Sequence, residues 1–367
     1  MSSNGTARAR ESQLFDEFRL RDLRVRNRLW VSPMCQYSAE DGLPNDWHFV
    51  HLGSLARGGM GLVMTEATAV AADGRITPAD TGIWNQRQLE AWVRIVGFIH
   101  GQGAQAGIQL AHAGRKASCA PPWEGRKALG DDQGGWLPIA PSPLAYPGLR
   151  PPREMSKGDI GRVVESFADA ALRSTNAGFD VIELHAAHGY LLHEFLSPLS
   201  NQRSDEYGGS FDNRIRLVLE VVAGVRAAVS PTMPLLVRIS ATDWLEGGWT
   251  VDDSVRLATR LREAGVDLID VTSGGNSPAD IPTAPGYQVS FSHRIRLDSD
   301  VPTGAVGLIT EPKQADDIVS TGSADVVFLG RALLREPHWA LRAARELQVP
   351  IGEGVTWPVQ YVSAAGG

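Results

Sequence analysis

Phe179-Asp180-Val181-Ile182-Glu183-Leu184-His185-Ala186-Ala187-His188-Gly189-Tyr190 is the stretch on which the fold turns. An apolar run too short for a helix ends in two imidazoles and a phenol. In a pure strand, residues 185 and 188 would face opposite sides, because the side-chain period is two. For both rings to serve one site the backbone must turn between them, and Ala-Ala-His-Gly suits a turn. Such a pair can hold a metal, polarise a carbonyl oxygen, or fill a loop.

On both sides of this stretch the same unit recurs: a short apolar run, a polar loop, then a helix-like segment. The runs at 28–32, 62–66, 106–110, 181–185, 235–239, 268–272, 303–306 and 326–329 read as strands, many rich in Val and Ile. Helical patterns separate most of them. Those at 160–177 and 214–229 are closed by Gly178 and Pro231. Eight buried strands alternating with helices imply parallel βα units, and eight units suggest a closed (β/α)₈ barrel. An open doubly wound sheet is the rival, but no G-x-G-x-x-G follows the first strand. One barrel is expected over 14–361, with a disordered tail at 1–13 and a flexible one at 362–367. Two stretches, 117–155 and 195–213, exceed ordinary connections of about 4–6 residues. They follow the third and fourth strands and read as excursions over the barrel mouth, where barrel enzymes build their active sites.

Bulk composition excludes several classes. The chain carries a formal charge of −7 with scattered basic residues, unlike the clustered basic face of a nucleic-acid binder. Its two cysteines, Cys35 and Cys119, make neither a disulfide framework nor a Cys-rich cluster, and a reduced cytoplasm is the expected compartment. The first dozen residues have no apolar core and do not read as a secretory signal. No apolar run approaches the roughly 20 residues of a membrane span.

Polar residues gather where the strands end. The first strand runs into Ser32-Pro33-Met34-Cys35-Gln36-Tyr37, the second gives Glu66-Ala67-Thr68, and the third carries Gln109. The fourth carries Glu183 and the His-x-x-His, and the sixth ends at Ser273-Gly274-Gly275. Arg238 stands inside the apolar fifth strand. A guanidinium keeps its proton, so burial demands a partner. That partner is either a carboxylate (Glu66, Glu183 or Asp270) or an electron-rich ligand across the mouth. Gly307, Gly330 and Arg331 follow the last two strands, where barrels often bind phosphate through backbone N–H groups that glycine leaves open. A second His-x-x-His, His48 and His51, falls in an expected helix and reads as structural.

Together these motifs resemble the Old Yellow Enzyme family of FMN-dependent ene-reductases, in particular its thermophilic-like subclass, which includes xenobiotic reductases. The resemblance runs from about Leu14 to Tyr361. It rests on Ser-Pro-Met-Cys-Gln-Tyr at 32–37, Gly-Ile-Gln-Leu-Ala-His-Ala-Gly-Arg-Lys at 107–116, His-Ala-Ala-His-Gly-Tyr at 185–190, Ser-Asn-Gln-Arg-Ser-Asp-Glu-Tyr-Gly-Gly-Ser at 200–210 and Gly-Arg-Ala-Leu-Leu at 330–334, in that order.

The resemblance implies non-covalent FMN at the barrel mouth and NADPH or NADH as hydride donor. It places Ser32, Pro33, Met34, Cys35 and Ala67 along the flavin ring, and Gln109 and Arg238 on its pyrimidine edge. Gly330 and Arg331 match phosphate-binding positions, with Ser273 and Gly307 as additions. A fixed cation near the pyrimidine edge stabilises the negative charge of the reduced ring. His185 and His188 are expected to hold the oxygen of an activated alkene, Tyr190 to protonate its α-carbon, and Tyr37 to face the substrate. The implied enzyme is an NADPH dehydrogenase and ene-reductase, a homodimer or homotetramer that takes small-molecule alkenes and neither nucleic acid nor membrane. Relatives follow the C-terminal Pro-x-x-Tyr with an aromatic or arginine that completes a neighbouring subunit's site. Here Pro358-Val359-Gln360-Tyr361 precedes only Val-Ser-Ala-Ala-Gly-Gly. Two rivals stand beside this reading: a metal-dependent barrel lyase or hydrolase on Glu183, His185, His188 and His193, and a flavin-binding redox sensor without turnover. No metal is expected.

Overall fold

A computed structural model describes residues 12–350, 352 and 354–364. Eight parallel strands close into a barrel: β1 Leu29–Val31, β2 Leu62–Ala69, β3 Gln105–Ala111, β4 Val181–Ala186, β5 Leu235–Ser240, β6 Leu268–Thr272, β7 Thr303–Ala305 and β8 Val326–Leu329. Each lies where the apolar runs put it, within a few residues. Every residue of these strands except Gln105, at the start of β3, is buried, as expected when helices cover the outer face and side chains fill the inner one.

The barrel floor is filled by Trp30, Leu62, Met64, Val181, Leu236, Leu268, Val326 and Phe328. A hairpin of Phe18–Leu20 and Leu23–Val25, which the sequence reading missed, packs beneath them. Phe18 meets Trp30 edge-on at 5.8 Å between ring centres, and Trp30 meets Phe328 at 5.5 Å. The hairpin therefore packs against the N-terminal end, and the strand C-termini carry the cavity described below.

The helix expected at 160–177 spans Lys157–Asn176, because Ser156 Oγ accepts from the Asp159 N–H at 3.1 Å and starts it one turn early. The helix expected at 214–229 is two pieces, Phe211–Arg214 and Arg216–Ala228, joined at Ile215. Both excursions are ordered over the mouth. The first contains two 3₁₀ turns, Pro122–Glu124 and Asp131–Gln133, and a short strand pair, Ile139–Ala140 with Arg153–Glu154. Arg203, from the second, ties the two together by donating to the carbonyls of Pro141 and Met155 at 3.1 and 2.6 Å.

Residues 1–11 and 365–367, most of the two expected tails, lie outside the described residues. Ser12 Oγ donates to Asp316 at 2.6 Å, and Val359–Ala364 forms a 3₁₀ turn. Tyr361 packs on its own chain, 5.3 Å from the Arg57 guanidinium and 6.2 Å from the His338 ring centre. Among the described residues no helix is long and apolar enough to cross a membrane.

Candidate active site

Strand register builds the site in two rows. Ala67, Gln109 and Glu183 are neighbours across β2, β3 and β4. His185, Arg238 and Asp270 are neighbours across β4, β5 and β6. A bulge in β2 between Met64 and Ala67 brings Ala67 level with Gln109. Since residues two apart along a strand share a face, Glu183 and His185 point the same way, and the rows stack into one polar layer.

Arg238 is 5% exposed, and its Nε lies 3.0 Å from Asp270 Oδ2. The pair is close as charges, although it is not aligned as a hydrogen bond. Its Nη2 donates to Ser32 Oγ at 3.1 Å. Asp270 is thus the carboxylate partner that burial demanded, and Arg238 also lines a cavity at the mouth. Burial pushes the Asp270 carboxyl up to about 6 against the pull of Arg238. Glu183 accepts from Gln109 Nε2 at 2.7 Å. Burial, then Asp270, pushes its carboxyl up to about 8 despite Arg238 and Gln109.

Beyond β4 the backbone turns as the sequence required. His188 and Gly189 are both left-handed, at φ +58° and +69°. A Cβ on Gly189 would strike the Gly275 carbonyl, so glycine there allows the loops after β4 and β6 to touch. The turn brings the His185 and His188 rings to 5.2 Å and the His185 and Tyr190 rings to 5.0 Å, both edge-on. His188 Nε2 sits 3.0 Å from Thr272 Oγ1, and its backbone N–H donates to Ser240 Oγ at 2.9 Å. Burial, then Arg238, pushes both imidazoles well below their ordinary pKa, so both rings are neutral near pH 7. His185 Nδ1 is buried without a partner. Burial, then Cys35, pushes the Tyr190 phenol well above its ordinary value. Its proton is therefore held more tightly than that of a free tyrosine.

The mouth cavity measures about 330 Å³. Of the expected cofactor residues it brings together Ser32, Met34, Arg238, Gly307, Gly330 and Arg331, beside His188. Ser273 stands one layer back, donating at 2.6 Å to Gln288, which lines the cavity. Pro33, Cys35, Ala67 and Gln109 are not on this wall. Cys35 lies with Tyr37 and Tyr190 around Ile76, Ala113 and Cys119, and its thiol pKa is raised by burial, Asp80 and Glu66. Thr272, Tyr287, Gln288 and Arg335 also line the cavity, and the sequence reading missed them. Thr272, the last residue of β6, carried the only usable signal.

A second cavity, about 360 Å³, opens over Tyr190 beneath the first excursion. His48 proves structural: its Nε2 lies 3.1 Å from Glu66, whose other oxygen accepts from the Gln36 N–H at 2.9 Å. That contact fixes the Ser32–Tyr37 segment. His193, suggested as a metal ligand, is turned away to Asp243.

These contents fit FMN. The first cavity is within the roughly 300–1,000 Å³ of small-ligand sites, has a buried cation on its wall, and adds two more arginines, Arg331 and Arg335. Gly330 leaves room, since a Cβ there would meet nothing nearer than 3.7 Å.

Similarity to known proteins agrees with this geometry. The chain is 48% identical to NADPH dehydrogenase of Geobacillus thermodenitrificans over 351 residues, covering 95% of this chain and 97% of that one. It is 45% identical to NADPH dehydrogenase of Listeria monocytogenes over 359 residues, covering 96% and 99%. Among solved structures it resembles morphinone reductase in complex with tetrahydroNAD, with a TM-score of 0.77 and 26% identity over 91% of each chain. It also resembles the old yellow enzyme homologue of Zymomonas mobilis, with a TM-score of 0.75 and 26% identity over 95% and 98%. The family model described as "NADH:flavin oxidoreductase / NADH oxidase family" matches residues 13–349, and the chain belongs to that family as an FMN-dependent, nicotinamide-driven oxidoreductase.

Proposed function

We propose that the protein uses NADPH to reduce the C=C bond of α,β-unsaturated carbonyl or nitro compounds. The observation that carries this is the single turn after β4, which brings the His185, His188 and Tyr190 rings together, with His188 on the wall of the cofactor cavity and Tyr190 on that of the second cavity. The naming of the relatives as NADPH dehydrogenases supports the choice of donor.

FMN, when bound, supplies the hydride taken from NADPH. Ser32, Pro33, Met34, Cys35, Ala67, Gln109 and Arg238 would hold its ring, and Gly307, Gly330 and Arg331 its phosphate, with Ser273 acting through Gln288. His185 and His188 are neutral, so each donates a hydrogen bond to the substrate oxygen without transferring a proton. Donors aimed at an oxygen that gains charge lower the barrier, each worth about 2.7–4 kcal/mol. Thr272 fixes the His188 ring. Tyr190 keeps its proton until a strongly basic α-carbon forms, and Tyr37 faces the same substrate. The metal reading loses its third imidazole, since His193 serves Asp243 and the Gly189 N–H.

The test is multiple-turnover reduction of 2-cyclohexenone or maleimide by the holoenzyme and NADPH without oxygen, with the product assayed directly. Saturated product is expected. Bleaching of the flavin with no product would replace this reading with that of a redox sensor.

A further inference from the structure

We infer that the cavity over Tyr190 binds an anionic oxygen group, a carboxylate or phosphate, carried by the alkene substrate and held by Lys116, Arg126 and Lys127. The inference rests on the ene-reductase reading above.

The three cations line the cavity with Tyr146 and Tyr190, and no carboxylate lines it. In a chain of formal charge −7 this is a local inversion of sign, and a cleft of one sign concentrates the opposite charge. Two other arginines of the same excursion are paired: Arg150 with Asp131 at 2.6 Å and Arg153 with Asp159 at 2.7 Å. Among the described residues the side chains of Arg126 and Lys127 make neither an ion pair nor a hydrogen bond. Arg126 is also held left-handed, at φ +52°, directly after Gly125 at +88°. A bulky residue rarely adopts that conformation without a cost, and such strain concentrates at binding sites.

Lys116 forms the inner end. Its ammonium donates to the carbonyls of His188, at 2.7 Å, and Gly275. It lies 4.3 Å from the Tyr146 ring centre and 5.6 Å from that of Tyr190. Burial, with Arg115 and Arg126 nearby, lowers its pKa to about 7 despite Glu194. An arriving anion would restore its charge. The cavity, about 360 Å³, sits near the small end of ligand sites, which suits a compact substrate better than a whole dinucleotide. NADPH can bring the same chemistry through its phosphates, so the experiment separates the two sources.

Wild-type holoenzyme and the Arg126→Gln/Lys127→Gln double variant are compared on an enone bearing a carboxylate on a short saturated tail, and on its carboxamide. Calorimetry on the corresponding saturated products reads binding apart from turnover. Wild type should prefer the carboxylate roughly ten- to hundred-fold in kcat/KM and in Kd, as charge-assisted hydrogen bonds imply. The preference should collapse towards unity in the double variant. No carboxylate preference in wild type, or the same preference in both proteins, overturns the inference. So does a loss of NADPH-over-NADH discrimination in flavin bleaching while the carboxylate preference persists, because the cations would then serve the coenzyme. If neither enone is reduced, the ene-reductase reading fails, and the calorimetric preference still decides on the anion site.

Discussion

The imidazole of His193 stands 3.2 Å from the carboxylate of Asp243, and both side chains are fully buried. The other ring nitrogen, Nδ1, accepts from the Gly189 N–H at 2.9 Å. Asp243 also accepts from Ser197 Oγ at 2.5 Å and from the Trp249 N–H at 2.9 Å. Burial pushes its carboxyl up, but His193 and these donors outweigh it and hold the pKa below the usual carboxylate range. The pair therefore anchors the turn that aims His188 and Tyr190. Asp243→Asn should lower alkene reduction roughly ten- to hundred-fold, since misplacing reacting groups by about 1 Å can cost 10²-fold. FMN content and bleaching by NADPH should persist; steady-state and rapid-mixing assays on one preparation check this.

Tyr190→Phe removes the proposed acid without changing the ring. Positioned acids contribute roughly 10²–10⁴-fold. Reoxidation of the reduced enzyme by an enone should slow by at least about 10²-fold, while reduction by NADPH proceeds. A variant that reoxidises like wild type would transfer the role to another donor, with Tyr37 first in line.

Arg238→Met leaves Asp270 buried without its cation. Breaking a buried pair from one side costs about 3–5 kcal/mol. A large fall in the melting temperature is expected, together with weaker FMN retention and a flavin that is harder to reduce. Adding Asp270→Asn should recover much of the stability but not the reduction potential. Thermal unfolding and a redox titration separate the two effects.

Glu194 supplies a pH test of stability. Its Oε1 accepts from the Arg115 N–H at 2.8 Å, and burial pushes its carboxyl up to about 8. Unfolded, the group ionises near the ordinary glutamate value of 4.5. The folded protein thus binds the extra proton between these values, so this contribution is complete below about 4.5 and is lost as pH rises through about 8. Relative to wild type, Glu194→Gln should gain melting temperature from pH 5 to about pH 8 and level off above it. A constant difference across that range would contradict the assignment.

Much of this was legible in the sequence because the barrel strands are short, apolar and buried on both faces, so their positions show without any alternating pattern. The turn at His188-Gly189 was also legible, since two rings three residues apart cannot share a site on a straight strand. Partners set by register were not. Arg238 needed a carboxylate, but only the pairing of β5 with β6 selects Asp270 over Glu66 and Glu183. The hairpin at Phe18–Leu20 and Leu23–Val25 escaped because each strand carries a central exposed arginine and buries only one residue, unlike the equally short but fully buried β1 and β7. Gln288 and Tyr287 escaped because they reach the cavity from a loop and a helix start with no motif. The lowered imidazole pKa values and the raised phenol come from burial, which no local sequence reveals.

The turn after β4 is expected to serve the alkene and not the flavin. Oxygen-free rapid mixing of wild type and the His185→Ala/His188→Ala variant tests it directly. NADPH should bleach both proteins, and 2-cyclohexenone should restore the yellow colour of wild type about 10³-fold faster than that of the variant. Equal recovery in the two proteins, or a variant that no longer retains FMN, would contradict the account.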